Sequence, residues 1–138
     1  MRILAIDPGE KHIGIAISDP TGTIATPLTV LQHISRPLDA SAIADLANQY
    51  ETGMIVIGKS MDEEGRPTPQ SRRADRLAEA LQQQCILPVT MWDESFSTQE
   101  ARQARIEMGT RRKKRHGHLD EMAATVILQS YLDANSNL

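Results

Sequence analysis

The chain has 138 residues and a mass of 15.3 kDa, which is enough for one hydrophobic core but not for two lobes. Its apolar fraction of 40% and charged fraction of 24% argue against disorder, and no apolar run approaches the roughly 20 residues of a membrane span. The formal net charge of -3 argues against a uniformly basic surface for nucleic acid. We therefore expect a single domain over residues 1–138 with one functional site.

Two features of the sequence indicate a reducing compartment. The first apolar run is interrupted at Asp7, which leaves it too short for a signal peptide. Cys85 is the sole cysteine, so it forms no internal disulfide and has no companion for a structural zinc site. We expect a cytoplasmic protein without a membrane partner, in which Cys85 is a small core residue.

The average charge hides a basic segment in the second half of the chain. Of the fifteen Lys and Arg residues, seven lie between Arg102 and Arg115, with Glu107 as the only acid among them. Such a segment is either a solvated loop or a phosphate-binding surface. Its five consecutive basic residues, here called the basic loop, are Arg111, Arg112, Lys113, Lys114 and Arg115.

The chain opens with a pattern typical of antiparallel strands. Two apolar runs rich in β-branched residues, 2–6 and 13–18, flank residues 7–10, which favour a turn. A third extended stretch, 23–31, follows a second turn sequence at 19–22. The pattern predicts a three-stranded antiparallel meander.

Helical and extended segments then alternate. Residues 38–49 have helical spacing, and residues 54–58 form a short apolar strand that ends at a glycine. Thr68-Pro69 predicts the cap and first residue of a helix that runs to about residue 85. Residues 88–92 are predicted to form the next strand.

Two further helices complete the predicted elements. A capping-box sequence at residues 97–100 begins one that ends near residue 108, and residues 120–134 form the last. Crossovers between parallel strands place helices on the faces of a sheet. We therefore predict an α/β fold of the ribonuclease H-like type, with a mixed five-stranded sheet (a three-strand antiparallel meander plus parallel strands) and helices on both faces.

Acidic residues stand at three strand ends or helix starts. Asp7 ends the first predicted strand, Asp93 and Glu94 follow the last, and Asp120 begins the final helix. A turn would explain Asp7 equally well, and the helix dipole would explain Asp120. Ser97 already caps the following helix, so neither Asp93 nor Glu94 is needed there. Because side chains alternate along a strand, only one of these two should face a shared cleft.

Convergence of these acids would be costly unless cations neutralised their charge. Carboxylate oxygens select Mg²⁺ or Mn²⁺, and two such ions about 3.5–4 Å apart can promote hydrolysis of a phosphodiester. The basic loop would then contact phosphates beside the scissile one. Aromatic residues are only 3% of the chain, which favours recognition through the backbone over base stacking. We expect a metal-dependent nuclease.

Several short motifs occur together in a fixed order: Ile6-Asp7-Pro8-Gly9, Ile13-Gly14-Ile15-Ala16, Ile55-Val56-Ile57-Gly58, Asp93-Glu94 and Leu119-Asp120-Glu121-Met122-Ala123-Ala124. They resemble the family named "putative pre-16S rRNA nuclease", also described as Holliday-junction-resolvase-like, over nearly the whole chain. The resemblance implies a ribonuclease H-like enzyme that trims ribosomal RNA precursor ends during ribosome biogenesis. It also implies catalytic, metal-binding acids at Asp7, Glu94 and Asp120.

The chain departs from the family's usual residues near the site. Family members usually have arginine at the position of His12 and again at that of Ser95, and Gly-Leu-Pro where Gly58 is followed by Lys59. We expect Lys59 and the basic loop to take over phosphate contacts. A lysine makes them as a point charge and not bidentately.

Two other functions stay open from the sequence. A Holliday junction resolvase acting on four-way DNA would need a dimer with paired sites, and a non-catalytic RNA-binding module would need only the basic loop. An actin-like ATPase or sugar kinase is disfavoured, because such proteins clamp nucleotide between two lobes, which 138 residues cannot supply. We expect an RNA precursor or branched DNA as the partner, and a monomer or weak homodimer.

Overall fold

This computed structural model describes residues 1–93 and 118–136, and for residues 118–121 it describes the backbone alone. These residues form eight elements of secondary structure. The strands are β1 (Arg2–Pro8), β2 (His12–Ser18), β3 (Ala25–Gln32), β4 (Thr52–Lys59) and β5 (Val89–Asp93). The helices are α1 (Arg36–Gln49), α2 (Pro69–Gln84) and α3 (His118–Asn135). These confirm the predicted elements to within a few residues. The helix predicted for 97–108 and the basic loop lie outside the described residues.

The strands form one five-stranded sheet in the order β3-β2-β1-β4-β5. β2 pairs antiparallel with both β1 and β3, whereas β4 pairs parallel with both β1 and β5. The mixed sheet predicted from the sequence is therefore confirmed, with β1 at its centre. We call one end of the sheet the carboxyl end and the other the amino end. The carboxyl end is formed by Pro8, His12, Gln32, Lys59 and Asp93.

β1 is longer than the sequence predicted. Asp7 and Pro8 pair with Gly14 and Ile13 of β2, so the predicted turn at residues 7–10 begins only at Gly9. Pairing overrides the turn preference of the Asp-Pro sequence, because a proline is tolerated at a strand end, where its missing N–H is not required.

Alternation along the strands produces two apolar faces. Leu4 and Ile6 lie with α1 and α2 in one buried cluster, whereas Ile3 and Ala5 lie with α3 in the other. We call these the α1/α2 face and the α3 face. Helices therefore cover both faces, as predicted.

The helices begin where the sequence places capping signals. The Ser35 hydroxyl accepts a hydrogen bond from the Leu38 amide at the start of α1, and Thr68 and Ser71 form a reciprocal capping box at the start of α2. Cys85, predicted as a core residue, ends α2 and packs half-buried against the α1/α2-face core, at its edge and not within it. In the described ranges, no helix combines the length and apolar character required to cross a membrane.

Asp19 organises the turn between β2 and β3 at the amino end. Its carboxylate accepts hydrogen bonds from the amides of Ile24, at 2.9 Å, and Thr23, at 2.8 Å, and from the Thr21 hydroxyl. These bonds, led by that from the Ile24 amide, hold the pKa of Asp19 far below its usual range. The ionised carboxylate is therefore the form that stabilises the fold.

Replacing Asp19 with alanine should lower the thermal midpoint in a pH-dependent way. Folding lowers the pKa of Asp19. The stabilisation is therefore complete at a pH above the pKa of the unfolded state, about 3.9, and is lost as the pH falls towards the pKa of the folded state. We expect the full difference from the parent protein at pH 7 and a shrinking difference below about pH 4. Asp45→Ala, at an exposed carboxylate on α1, is the control, and a constant Asp19→Ala difference across this range would contradict the assignment.

Candidate functional site

Asp7 lies in the central strand, one residue before the end of β1. Because it pairs with Gly14, it is a residue of the sheet and not of the turn. Side chains alternate between the two faces of a strand, so Asp7 lies on the same face as Ile3 and Ala5 and on the opposite face from Leu4 and Ile6. It therefore belongs to the α3 face at the carboxyl end. The structure thus places a carboxylate at the centre of this end of the sheet.

Glycines lie beside Asp7 on both neighbouring strands. Gly14 is its partner on β2, and Gly58 follows Ile57, the partner of Ile6, on β4. Because glycine has no side chain, neither strand presents a side chain beside the carboxylate at this level. A negatively charged oxygen donor with side-chain-free neighbours suits a hydrated divalent cation.

The turn after β1 is tightly closed at Gly9. The Gly9 amide donates to the carbonyl oxygens of Asp7 and His12, both at 3.0 Å. A Cβ at this position would collide with the His12 carbonyl oxygen. Glycine is therefore required here by close approach of the backbone, and this approach fixes the end of the strand that bears Asp7.

Trp92 joins β5 to α3 on the same face as Asp7. It pairs with Gly58, its indole nitrogen donates to the Ser130 hydroxyl at 3.2 Å, and its ring meets that of Tyr131 edge to face with centroids 5.5 Å apart. These contacts fix the last strand relative to the final helix. The spacing between the ends of β5 and α3 is thereby constrained.

Asp93 lies on the opposite face from Asp7. It pairs with Lys59. It also lies on the same side of β5 as Met91, two residues earlier, which packs against the core of the α1/α2 face. Of the two acids left open by the sequence, Asp93 is therefore not the one that shares a face with Asp7. Glu94 lies outside the described residues.

Lys59, predicted to bind nucleic acid, also lies on the α1/α2 face. Its ammonium group donates to the Asp75 carboxylate of α2 at 3.1 Å. A phosphate contact by Lys59 would have to replace or share this partner. The structure does not bring Lys59 and Asp7 together on one face.

The position of Asp120 follows from the direction of α3. In the second half of this helix, Gln129 bonds to the backbone of Thr23 and Ala25 at the amino end. At 1.5 Å per residue, the nine residues back to Asp120 span roughly 14 Å, about the length of β1 between Ile3 and Asp7. α3 therefore runs from the carboxyl end towards the amino end, and the backbone of Asp120 lies in its first turn.

The described side chains contain one member of the predicted acidic triad, Asp7. Among them, no three His, Cys, Asp or Glu residues are grouped in a way that could hold a metal ion. The side chains of Glu94, Asp120 and the basic loop lie outside the described part of the chain, so these predicted site residues stay predictions.

Two residues of α2 that the sequence analysis did not select hold the strand ends in place. Gln70 accepts from the Ser60 amide at 2.7 Å and donates to the Gly58 carbonyl at 2.9 Å. Arg73, one turn later, donates from Nε to the Pro8 carbonyl at 3.2 Å. The sequence contained a signal for this pair. They are three residues apart and follow a clear helix cap, so both lie on the same side of α2 near its first turn.

Comparison with known proteins gives a consistent result. The sequence model of the RuvX family, described as Holliday junction resolvase, matches residues 1–134. A protein of Thermoanaerobacter pseudethanolicus named "Putative pre-16S rRNA nuclease" is 41% identical over 138 residues, covering 99% of both chains. One of Clostridium acetobutylicum with the same name is 38% identical, covering 97% of this chain and 99% of its own.

Solved structures share the fold at low identity. RuvC of Thermus thermophilus, in complex with a Holliday junction substrate, superposes with a TM-score of 0.64 at 14% identity and covers 99% of this chain and 96% of its own. The fowlpox virus Holliday junction resolvase gives a TM-score of 0.55 at 17% identity, covering 97% and 99%. These matches confirm the predicted ribonuclease H-like fold.

Replacing Gly9 with alanine should destabilise the protein by about 1–3 kcal/mol, because the added methyl group overpacks the turn against the His12 carbonyl. The free energy of unfolding from urea titration measures this. Gly65→Asn is the control: apart from its chain neighbours, no atom of the described residues lies within 4 Å of a Cβ there, and asparagine tolerates the positive φ of that residue. Equal unfolding free energies for the parent and Gly9→Ala would contradict the close approach.

Proposed function

The chain belongs to the RuvX family, and from this premise we propose that it is a divalent-metal-dependent nuclease that hydrolyses phosphodiester bonds at the ends of pre-16S ribosomal RNA. We further propose that it acts in the cytoplasm, during ribosome biogenesis, as a single-domain monomer or weak homodimer. Relatives of the same length that are named as pre-16S rRNA nucleases support the choice of substrate.

The observation that carries the proposal is the position of Asp7. It stands at the carboxyl end of the central strand, on the α3 face, with Gly14 and Gly58 on the adjacent strands. Pairing on both sides of β1 holds its backbone rigidly, which is the precision that a catalytic site needs. An acid required only for a turn would not need this placement in the sheet.

Asp7, Glu94 and Asp120 are the residues that we propose hold Mg²⁺ or Mn²⁺, as two ions. Their oxygen donors suit hard cations. The chemistry that such ions supply when bound is activation of the attacking water and stabilisation of the departing oxygen. The contacts of Trp92 with Ser130 and Tyr131 support the proposal, because they tie the strand that leads to Glu94 to the helix that bears Asp120.

We assign substrate positioning to the basic loop. Its five cations, Arg111, Arg112, Lys113, Lys114 and Arg115, precede Asp120 by a few residues in the chain, so we expect them to contact phosphates next to the scissile bond. Lys59 belongs to the same proposal, in exchange for its present partner Asp75. These contacts would orient the backbone without reading its sequence.

Cleavage of four-way DNA is the second candidate. It is favoured by the description of the matching family as Holliday junction resolvase and by the fold shared with RuvC. The names of the full-length relatives favour RNA. Incubation of the purified protein with labelled pre-16S RNA and with a four-way DNA junction, each with Mg²⁺, Mn²⁺ or chelator, discriminates the two. Cutting confined to the junction would overturn the RNA assignment.

Asp7→Asn should bind the RNA precursor with unchanged affinity while its cleavage rate falls by roughly 10³-fold. The neutral amide is nearly isosteric but a poor ligand for Mg²⁺, and metal stabilisation of a transition state is worth several kcal/mol. Single-turnover cleavage in Mn²⁺ and fluorescence anisotropy measure the two quantities. Asp45→Asn on the exposed side of α1 is the matched control. Retention of parental cleavage by Asp7→Asn would refute the metal-dependent nuclease.

The two neighbouring acids should differ in effect. Asp93 lies on the α1/α2 face, so Asp93→Asn should cleave within about threefold of the parent, whereas Glu94→Gln should lose about as much activity as Asp7→Asn. The same single-turnover assay compares them, with thermal midpoints to confirm folding. The reverse order would show that Asp93 and not Glu94 serves the site.

A further inference from the structure

Three arginines come together on the α1/α2 face at the carboxyl end. Arg36 is the first residue of α1, and Arg73 and Arg76 lie one turn apart on α2. No function assigned so far uses their charges. They are distant in sequence from the basic loop, and they are here called the arginine cluster.

Arg73 ties this cluster to the strand that bears Asp7. Its Nε group donates to the Pro8 carbonyl at 3.2 Å, and Pro8 directly follows Asp7. A guanidinium has five N–H donors, and this is the one hydrogen bond of the Arg73 side chain within the described part of the chain. Arg76 is exposed, and its side chain has no ion pair or hydrogen bond there.

Arg36 has an unsatisfied donor. Its Nη1 group is buried and makes no hydrogen bond within the described residues; the nearest acid, Asp39, is 3.7 Å away. Asp39 is itself only 3% exposed and already accepts from the Ile34 amide at 3.0 Å and contacts the His33 ring at 2.5 Å. The Arg36 side chain is 22% exposed, so an anion can approach it from outside, although the buried Nη1 itself is out of reach.

Within the described part of the chain, Arg36 pairs with Asp39, whereas Arg73 and Arg76 have no ion pair. Burial lowers the pKa of Arg36, Asp39 raises it, and the nearby Arg73 and Arg76 lower it further. Asp75, the acid next to Arg76 on α2, is paired with Lys59. Arginine stays charged under these conditions, and among the described residues Asp39 is the one acid paired with the cluster, through Arg36.

We propose that Arg36, Arg73 and Arg76 bind successive backbone phosphates of the nucleic acid at a distance from the scissile bond. This rests on the proposed function, since it takes a polynucleotide as the substrate. Arg73 and Arg76 are one helical turn apart, about 5–6 Å between Cβ atoms. Cations spaced in this way suit the repeated phosphates of a polynucleotide better than they suit one small anion.

The arrangement defines a path for the strand. Asp7 lies on the α3 face and the arginine cluster on the α1/α2 face of the same end. A polynucleotide held at both must cross the carboxyl end near the turn that follows Pro8. The cluster would therefore contribute to the affinity for the polynucleotide and to its position along the protein surface, and not to the bond-breaking step.

Binding of labelled pre-16S RNA as a function of salt tests this. Arg76→Gln removes an exposed side chain without described contacts, so folding is not at risk. We expect it to weaken binding about five- to tenfold and to reduce the slope of log K against log salt by about one. Arg73→Gln should act in the same direction, and the two changes together should reduce the slope by about two.

Arg2→Gln is the matched control. It removes the same charge at the amino end, where Arg2 bonds to the Tyr50 carbonyl, and it should leave Kd and slope unchanged. Unchanged Kd and slope in Arg76→Gln and the double variant would overturn the proposal, as would an equal loss in Arg2→Gln.

Cleavage assays separate this inference from the proposed function. If the parent binds RNA through Arg76 but does not cut it, the proposed function fails and the phosphate contacts stand. If the parent cuts and Arg76→Gln binds like the parent, the inference alone fails. In the supported case, Arg76→Gln raises KM for cleavage and leaves kcat near the parental value.

Discussion

The pairing of β1 on both of its sides is the constraint on which the rest of the structure depends. β1 pairs antiparallel with β2 and parallel with β4, and Leu4, Ala5 and Ile6 are fully buried. Such a strand cannot slip by one residue without turning its apolar side chains to the wrong face. The face on which Asp7 lies is therefore set by the core of the protein, and the turn at Gly9 closes the end of the strand that bears it.

The carboxyl end of the sheet separates two kinds of chemistry onto two faces. Asp7 stands among glycines on the α3 face, whereas Lys59 and the arginine cluster lie on the α1/α2 face. α2 is joined to the strand ends, because Gln70 donates to the Gly58 carbonyl of β4 and Arg73 to the Pro8 carbonyl of β1. A helix that supplies proposed phosphate contacts thus also positions the strand ends on which the proposed chemistry depends.

Local signals in the sequence were sufficient for most of the fold. The Thr68-Pro69 start of α2 and the period-2 pattern of β1 are found where they were predicted. The prediction was wrong at Pro8, which was assigned to a turn but continues the ladder with Ile13. Turn propensity is a preference of a few residues, and pairing with a neighbouring strand outweighs it.

By itself the sequence determined the order and type of the described elements, because periodicity and capping act over short distances in the chain; which acids hold a cation is a prediction from side-chain chemistry. Only the tertiary structure decided that Asp93 faces away from Asp7, that Lys59 pairs with Asp75, and that the arginines of α1 and α2 gather at one end of the sheet. These relations depend on the register of strands and the packing of helices that are far apart in sequence, and no local pattern encodes either.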